Sequence, residues 1–168
     1  MNGLNEVDCT LDQHGEAILA IFNHAIAHTT ALFDLKPRTA MDMAQWFAIK
    51  EGKNWPVFGL QDEAGTLCAF ATYGAFRAHA AYGQTMEHSV YVHPQHQGRG
   101  LGRVVMQRLI AHAWASDVHV LVGVIESGNR PSIRLHQQLG FTQAGTLREV
   151  GRKFDRWLDV DLYQLKCP

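Results

Sequence analysis

The fold is decided by the stretch Val90-Tyr91-Val92-His93-Pro94-Gln95-His96-Gln97-Gly98-Arg99-Gly100-Leu101-Gly102, where a β-type run meets a basic, glycine-rich loop. An apolar run with helical spacing follows at once and extends to Trp114. The start of such a helix gathers free backbone N–H groups at the positive end of the helix dipole. Gly98, Gly100 and Gly102 let an anion approach that backbone without obstruction by a Cβ atom. The stretch therefore predicts a binding site for a phosphorylated ligand.

Two other phosphate-binding motifs share these glycines but do not fit the surrounding sequence. A dinucleotide-binding turn has the spacing G-x-G-x-x-G and follows its strand immediately, with an acid such as Glu126 after the next strand. Here the segment from His93 to Gln97 separates the strand from the first glycine. A P-loop is excluded because no Lys-Ser or Lys-Thr follows the glycines. A turn that merely caps a helix would not need Gln97, Arg99 and Arg103 around it.

Length and composition predict one domain over residues 1–168 with a substantial core, since 46% of the residues are hydrophobic and 18% are charged. A net charge of −1 gives no electrostatic reason to expect nucleic acid or an anionic membrane as a partner. No apolar stretch approaches the roughly 20 residues that span a bilayer, and the first residues lack the pattern of a signal peptide. The cysteines, Cys9, Cys68 and Cys167, lack metal-like spacing and favour reduced thiols in a cytoplasmic protein.

Hydrophobic periodicity predicts helices and strands in a mixed order. Helices are expected over 11–28, 40–49, 101–114 and 129–139, and strands over 57–61, 66–76, 84–92, 118–125, 141–150 and 157–165. Thr39 to Asp42 resembles a capping box for the second helix. The run from Val118 to Ile125 is almost entirely apolar, which is typical of a central strand covered on both faces. The order indicates an α/β or α+β fold with helices flanking one mixed sheet.

Two segments carry a resemblance to a known family. Gln97-Gly98-Arg99-Gly100-Leu101-Gly102 resembles the Q/R-x-x-G-x-G/A signature of the GCN5-related N-acetyltransferases, the GNAT family. The segment from Asn129 to Phe141 is similar to that family's Asn-x-x-Ser helix with its Leu-Gly-Phe ending. The resemblance implies a GNAT-type sheet, mixed and mostly antiparallel, whose splayed central strands hold acetyl-CoA.

The sequence is closer still to one branch, the phosphinothricin and methionine sulfoximine/sulfone N-acetyltransferases. The segments that carry this likeness are Phe22-Asn23-His24, Thr29-Thr30-Ala31, Glu87 to Val92 and Gly151 to Asp159, so nearly the whole chain is covered. The branch implies a homodimer that acetylates the α-amino group of a small amino acid or of a toxic analogue. Acceptors of other GNAT enzymes, namely a peptide N-terminus, a polyamine or an aminoglycoside, stay open as alternatives.

The resemblance also implies which residues bind acetyl-CoA. The loop amides would hold the pyrophosphate, and the strand from His88 to Val92 would splay from its neighbour and pair with the pantetheine arm. Asn129 is in addition a natural N-cap before Pro131, and capping is compatible with binding. The residues assigned to acetyl-CoA are Val90, Tyr91, Val92, Gln97, Gly98, Arg99, Gly100, Leu101, Gly102, Arg103, Asn129 and Ser132.

Two residues are candidates for the proton transfers. Acetyl transfer requires that the amine lose a proton and that the leaving thiolate be stabilised. The resemblance places Glu87 as the base, at the start of the strand that holds the pantetheine arm. It places His136 near the reacting sulfur, where an imidazole could transfer a proton or donate to the thiolate. Relatives attack directly in a ternary complex, so no enzyme nucleophile is expected.

The acceptor amino acid is expected to lie among residues of three segments. Arg77 offers a bidentate grip on a carboxylate or phosphinate, and His79 stands where relatives often carry a second basic residue. Aromatic side chains such as Phe33 and Tyr82 could add an apolar wall. The residues assigned to the acceptor are Arg77, Ala78, His79, Glu87, His88, Ser89, Phe154 and Trp157.

Metal binding and a non-catalytic sensor are the remaining alternatives. His93-x-x-His96 and His24-x-x-x-His28 have spacings that suit a metal, but the sequence shows no third ligand near either pair. We therefore expect no metal. A sensor that binds acetyl-CoA without turnover is possible in principle, but Glu87 and an intact acceptor loop argue for an enzyme.

Overall fold

The computed structural model describes residues 3–168, and its elements follow the predicted order. The strands and helices are β1 (Leu4–Asp8), α1 (Leu11–His28), α2 (Ala40–Gly52), β2 (Val57–Asp62), β3 (Leu67–Ala75), β4 (Thr85–Val92), α3 (Leu101–Ala115), β5 (Val120–Glu126), α4 (Arg130–Gln138), β6 (Thr142–Lys153) and β7 (Arg156–Lys166). Short 3₁₀ turns lie at Ala80–Tyr82 and Pro94–His96.

The strands form one mixed sheet in the order β1-β2-β3-β4-β5-β7-β6. All neighbouring strands are antiparallel except β4 and β5, which are parallel. Because successive strand residues face opposite sides, Ala69 and Ala71 of β3 pack against α3, whereas Phe70 packs against α1 and α2. The predicted mixed, mostly antiparallel sheet with flanking helices is confirmed.

The sheet opens between its two parallel strands. Residues of β4 and β5 are in register only from Thr85 opposite Val120 to His88 opposite Gly123. Beyond that point β4 continues to pair with β3 as far as Val92, so its other edge turns towards a gap. The predicted splay after His88 is therefore confirmed. The expectation that 118–125 is covered on both faces is wrong at Val124, which faces the gap and is 42% exposed.

Capping explains where several elements begin. Thr39 accepts a hydrogen bond from the Asp42 amide, and the Asp42 carboxylate accepts one from the Thr39 amide, which confirms the capping box. Asn129 Oδ1 accepts from the Ser132 amide at 3.2 Å, so Asn129 is the N-cap of α4 as predicted. Gly100 precedes α3 with a φ of 76°, a left-handed conformation that favours glycine.

Two local features differ from the sequence prediction. β1 was not predicted, because Leu4 to Asp8 is a short segment of mixed polarity that gains its structure by antiparallel pairing with β2. The hairpin between β6 and β7 is also tighter than expected. Its turn consists of Phe154 and Asp155 with φ of 50° and 56°, the geometry of a two-residue type I′ turn without its usual Asn-Gly signal.

None of the helices within residues 3–168 has the length and apolar character needed to cross a membrane.

Candidate active site

A cleft of about 1330 Å³ occupies the gap between β4 and β5. Its floor is the free edge of β4, from Ser89 to Val92, and the end of β5. The glycine loop (residues 97–102) closes one end of the cleft, together with the start of α3 and with α4. The C-terminal part of α1, the segment after it and the tip of the β6–β7 hairpin line the other side. The cleft therefore collects residues from most segments that the sequence analysis singled out.

The three glycines of the loop serve two different structural purposes. Gly98 and Gly100 have φ of +75° and +76°, and a Cβ built on either meets no atom within 4 Å. The left-handed backbone conformation therefore favours glycine at both positions, and the space over this backbone is open. Gly102 has an ordinary φ, but its Cβ would come within 3.2 Å of Leu135 Cδ2 on α4. This third glycine lets α3 and α4 pack closely at the end of the cleft.

The start of α3 presents a site for an anion. In the helix geometry the amides of Leu101 and Gly102 have no partner within the helix, and both residues line the cleft. The side chains of Arg103 and Arg134 line the same end and add positive charge. Free N–H groups, the helix dipole and two guanidinium groups together favour a phosphate group.

The structure brings the residues assigned to acetyl-CoA together, with one exception. Every one of them lines the cleft except Arg99. The Arg99 guanidinium instead donates to His96 Nδ1 at 2.8 Å, so it braces the loop from outside. Arg134, which the sequence analysis did not single out, lines the cleft at that end.

Glu87 and Arg77 lie beside each other, and neither of them lines the cleft. Strand alternation puts Glu87 on the same face of β4 as Ser89, which lines the cleft. Arg77 Nη1 is 3.9 Å from Glu87 Oε2, and both side chains are partly exposed. Burial raises the pKa of Glu87, and the positive charge of Arg77 opposes that rise. A carboxylate whose pKa is raised towards the working pH is better suited to accept a proton.

The other residues assigned to the acceptor are divided between the cleft and the surface. Phe154 lines the cleft from the hairpin tip, where its positive φ holds it in an unusual conformation for a large residue. Trp157 is 60% exposed and lies outside the cleft wall. Ala78 and His79 are exposed in the segment after Arg77 and do not line the cleft either.

Contacts between distant segments build the hairpin side of the cleft, and the sequence patterns did not predict them. Thr30 donates its hydroxyl to Glu126 Oε2 at 2.9 Å, which links the segment after α1 to the end of β5. Lys153 Nζ donates to the Leu32 carbonyl at 2.6 Å and ties the same segment to β6. Arg156 also lines this end of the cleft. These pairs are far apart along the chain, so only the branch resemblance of Thr29-Thr30-Ala31 and of the hairpin could have indicated them.

His88 and His136 form a buried pair on the opposite face of β4 from Glu87. Their Nε2 atoms are 2.8 Å apart, and both rings line the cleft. His136 Nδ1 also lies 2.7 Å from the Ser132 carbonyl oxygen. Burial lowers the pKa of both histidines, and for His88 the neighbouring His136 lowers it further. Both ring nitrogens of His136 therefore have hydrogen-bond partners within the protein. One of these bonds must break before His136 can act as the predicted proton donor.

Within each histidine pair of metal-like spacing the rings are close, with centroids 4.8 Å apart for His24 and His28 and 5.4 Å apart for His93 and His96. Among residues 3–168, the convergent group of possible metal ligands is Asp62, Cys68 and His96, which the sequence analysis did not combine. Burial raises the pKa of the Cys68 thiol, and a ring nitrogen of His96 already accepts from Arg99. Both features oppose metal binding there.

Comparison with known proteins agrees with this architecture. The sequence model of the acetyltransferase (GNAT) family matches residues 19–141, so the chain belongs to the GNAT family and is an N-acetyltransferase. It is 42% identical over 148 residues to the L-methionine sulfoximine/L-methionine sulfone acetyltransferase of Pseudomonas paraeruginosa, covering 88% of this chain and 86% of that protein. It is 34% identical over 146 residues to the phosphinothricin N-acetyltransferase of Streptomyces coelicolor, covering 86% and 85%.

A solved structure extends the comparison to the fold. The Salmonella typhimurium protein yncA, determined with its cofactor acetyl-CoA, superposes with a TM-score of 0.94 at 38% identity. The alignment covers 98% of this chain and 94% of that one. The predicted family, fold class and enzyme class are therefore confirmed.

Proposed function

We propose that the protein transfers the acetyl group of acetyl-CoA to the α-amino group of a small amino acid or analogue of the methionine sulfoximine, methionine sulfone or phosphinothricin type. The observation that carries this proposal is the cleft between β4 and β5, with a glycine-started helix at one end and Glu87 on β4, the strand that forms its floor. The activities named for the relatives, and the acetyl-CoA in the yncA structure, support it.

The residues at the glycine-loop end suit the carrier. Open space over Gly98 and Gly100 leaves room for a diphosphate against the loop backbone, and Arg103 and Arg134 supply counter-charge. The free edge of β4 from Val90 to Val92 offers backbone donors and acceptors to the amide groups of an extended arm. Asn129 and Ser132 at the start of α4 would contact the same ligand.

Glu87 is the base of the proposed reaction. Its carboxylate, two residues before Ser89 on β4, binds the acceptor ammonium and takes one proton, directly or through a water molecule. The neutral amine then attacks the thioester carbonyl, the carbon–sulfur bond breaks, and the nitrogen gives up its second proton as the departing thiolate takes one up, while the proton on Glu87 leaves to solvent. His136 was expected to supply that proton, but its ring nitrogens are engaged by Ser132 and His88. Donation by His136 therefore requires one of those bonds to open.

Arg156 is our candidate for binding the acid group of the acceptor. It lines the cleft next to Phe154, whereas the Arg77 guanidinium lies outside the wall, near Glu87 and over the Phe76 ring. A guanidinium in the cleft offers a bidentate contact to a carboxylate, sulfone or phosphinate. Arg77 would then act on the pKa of Glu87. Arg156, and not Arg77 as the sequence predicts, would bind the acid group of the acceptor.

Two further proposals concern assembly and compartment. The β6–β7 hairpin leaves Leu147, Val150 and Trp157 at 45%, 53% and 60% exposure, which supports a homodimer that covers this hairpin. Light scattering should then give twice the chain mass, and Trp157→Glu should give the monomer. The free cysteines, two of them buried, fit a reducing cytoplasm.

The test of the proposed function is release of free thiol from acetyl-CoA against a panel of acceptors. Methionine sulfone, methionine sulfoximine and phosphinothricin should be turned over, as should one or more small amino acids. A polyamine, an aminoglycoside and a peptide with a free N-terminus serve as the competing classes. Turnover confined to those three classes would reject the proposed acceptor, and binding of acetyl-CoA without turnover of any amine would indicate a sensor.

A further inference from the structure

Two buried histidines meet at the residue where β4 leaves β5. His88 and His136 are 5% and 2% exposed, and a hydrogen bond of 2.8 Å joins their Nε2 atoms. His88 is the last residue of β4 in register with β5, opposite Gly123. Because His136 belongs to α4, the bond connects the strand to the helix beside the line along which the sheet opens.

The hydrogen bonds determine where each proton lies. The Ser132 carbonyl can only accept, so the His136 Nδ1 that lies 2.7 Å from it carries a hydrogen. A neutral His136 then has a lone pair on Nε2, and it accepts from the Nε2–H of His88. His88 Nδ1 is left as a bare nitrogen and is buried with no partner in hydrogen-bond geometry, while the nearby backbone of Val122 opposes the lowering of the His88 pKa that burial and His136 cause. One proton therefore lies between the two rings.

Gly123 and Phe141 lie against the two histidine rings and carry no charge. A Cβ on Gly123 would come within 3.0 Å of His88 Cε1 and 3.2 Å of His136 Nε2. Phe141 packs against both rings, with centroids 5.0 and 5.1 Å away. The ring centroid of Tyr163 on β7 lies 6.4 Å from that of His136. Among the described side chains in ring contact with the two histidines, this phenol is the one other titratable group.

We propose that His88 is a positioning residue for the cleft. It donates its Nε2–H to His136, fixes the Nδ1–H tautomer of His136 and joins β4 to α4 where the backbone pairing of β4 with β5 ends. This joint holds the cleft wall next to Gly123 and Val124 in place. Its effect on turnover rests on the function proposed above, but the joint itself does not.

The buried pair resists a second proton at either of its free lone pairs. On His136 Nε2 it would give two N–H groups facing each other at 2.8 Å with no acceptor between them, and on His88 Nδ1 it would place a charge in a buried site. The folded pair already has lowered pKa values because of burial and because His136 opposes a charge on His88. Rings that open to solvent regain the ordinary pKa, so acidification through the histidine range favours the open state and the joint is lost as pH falls.

The tautomers can be read directly by long-range ¹⁵N–¹H correlation of the imidazoles in the labelled, full-length protein at neutral pH. We expect His136 to show a protonated Nδ1 and a bare Nε2, and His88 the reverse. A charged ring at neutral pH, or His136 protonated on Nε2, would overturn the proposal. This measurement needs no acceptor, so a failure of the proposed function leaves its outcome readable.

Two substitutions at one position test the role of the donor. His88→Met fills space without an N–H, and it should lower kcat about tenfold, the cost of one lost hydrogen bond of ordinary strength, and mix the His136 tautomers. His88→Gln restores a donor that does not titrate, so it should recover part of the lost kcat and weaken the acid limb of the pH profile. His119→Gln, at an exposed position before β5, controls for loss of a histidine.

The two outcomes that contradict the proposal are explicit. One is a folded His88→Met protein with wild-type kcat, pH profile and His136 tautomer. The other is a His88→Gln protein that recovers nothing relative to His88→Met. If His88→Met does not fold, the tautomers of the wild type and the pH profile of His88→Gln decide.

Discussion

The two ends of the cleft are built in different ways. The glycine-loop end comes from one continuous segment, in which the free edge of β4, the left-handed Gly98 and Gly100 and the first turn of α3 follow each other along the chain. The hairpin end is assembled from distant segments, through Thr30 with Glu126 and Lys153 with Leu32. One end is therefore a local backbone structure, and the other depends on the tertiary fold.

Because the two ends are built differently, sequence changes have different effects at each end. In the function proposed above, backbone amides and left-handed glycines bind the diphosphate, a feature that every acetyl-CoA molecule shares. Side chains on loops that tertiary contacts hold in place can change without disturbing that site. We therefore expect substitutions at the hairpin end to alter acceptor kinetics and leave affinity for acetyl-CoA intact, and substitutions in the glycine loop to do the opposite.

The largest expected effect is that of Glu87→Gln, which keeps the shape of the side chain but removes the base. We expect kcat near neutral pH to fall about 10²- to 10⁴-fold, with acetyl-CoA affinity unchanged. The deficit should shrink as pH rises, because the acceptor amine then loses its proton without help. Steady-state kinetics across pH check this, and unimpaired turnover at every pH would remove Glu87 as the base.

The next effect concerns recognition of the acceptor. Arg156→Met should raise KM for a carboxylate-bearing acceptor about 10- to 100-fold, the cost of one hydrogen bond to a charged group, with little change in KM for acetyl-CoA. Arg77→Met is the matched control, since it removes the same charge outside the cleft wall. If the KM increase follows Arg77 and not Arg156, the acceptor's acid group lies on the side of the Arg77 loop.

The smallest effect is a shift in pH dependence. Arg77 opposes the rise in the Glu87 pKa that burial causes, so Arg77→Met should raise that pKa further. A base must be deprotonated to act, so activity should begin to fall at a higher pH on the acid side than in the wild type. Because both side chains are partly exposed, the shift should be small and should weaken in high salt. An acid limb that does not move would show that Arg77 does not act on the base.

The sequence predicted the glycine-loop end well for a physical reason. Strand, loop and helix are contiguous there, so periodicity, glycine positions and the resemblance all describe one local structure. At the hairpin end the sequence named Phe154 but missed Arg156 and the contact between Thr30 and Glu126. No spacing rule connects residues so far apart.

The face of a strand residue is the second lesson. The branch resemblance assigns the whole segment from Glu87 to Ser89 to the acceptor site. Adjacent strand residues point to opposite faces, so Glu87 lies with Arg77, and His88 is buried against His136 on the other side. Arg99 illustrates the same limit in the loop, because its side chain reaches His96 and not the cleft.

The central claim is that backbone amides at the start of α3 hold the diphosphate of acetyl-CoA, and calorimetry with that ligand tests it most directly. The wild type should bind one acetyl-CoA per chain. Gly100→Val should weaken binding about tenfold or more, because a left-handed φ at a branched residue costs about 1–2 kcal/mol and its side chain enters the ligand's space. Gly145→Val, at an open position with an ordinary φ, is the control and should bind like the wild type. Folded wild-type protein that gives no binding heat at any temperature tried, or Gly100→Val protein with unchanged affinity, would contradict the account.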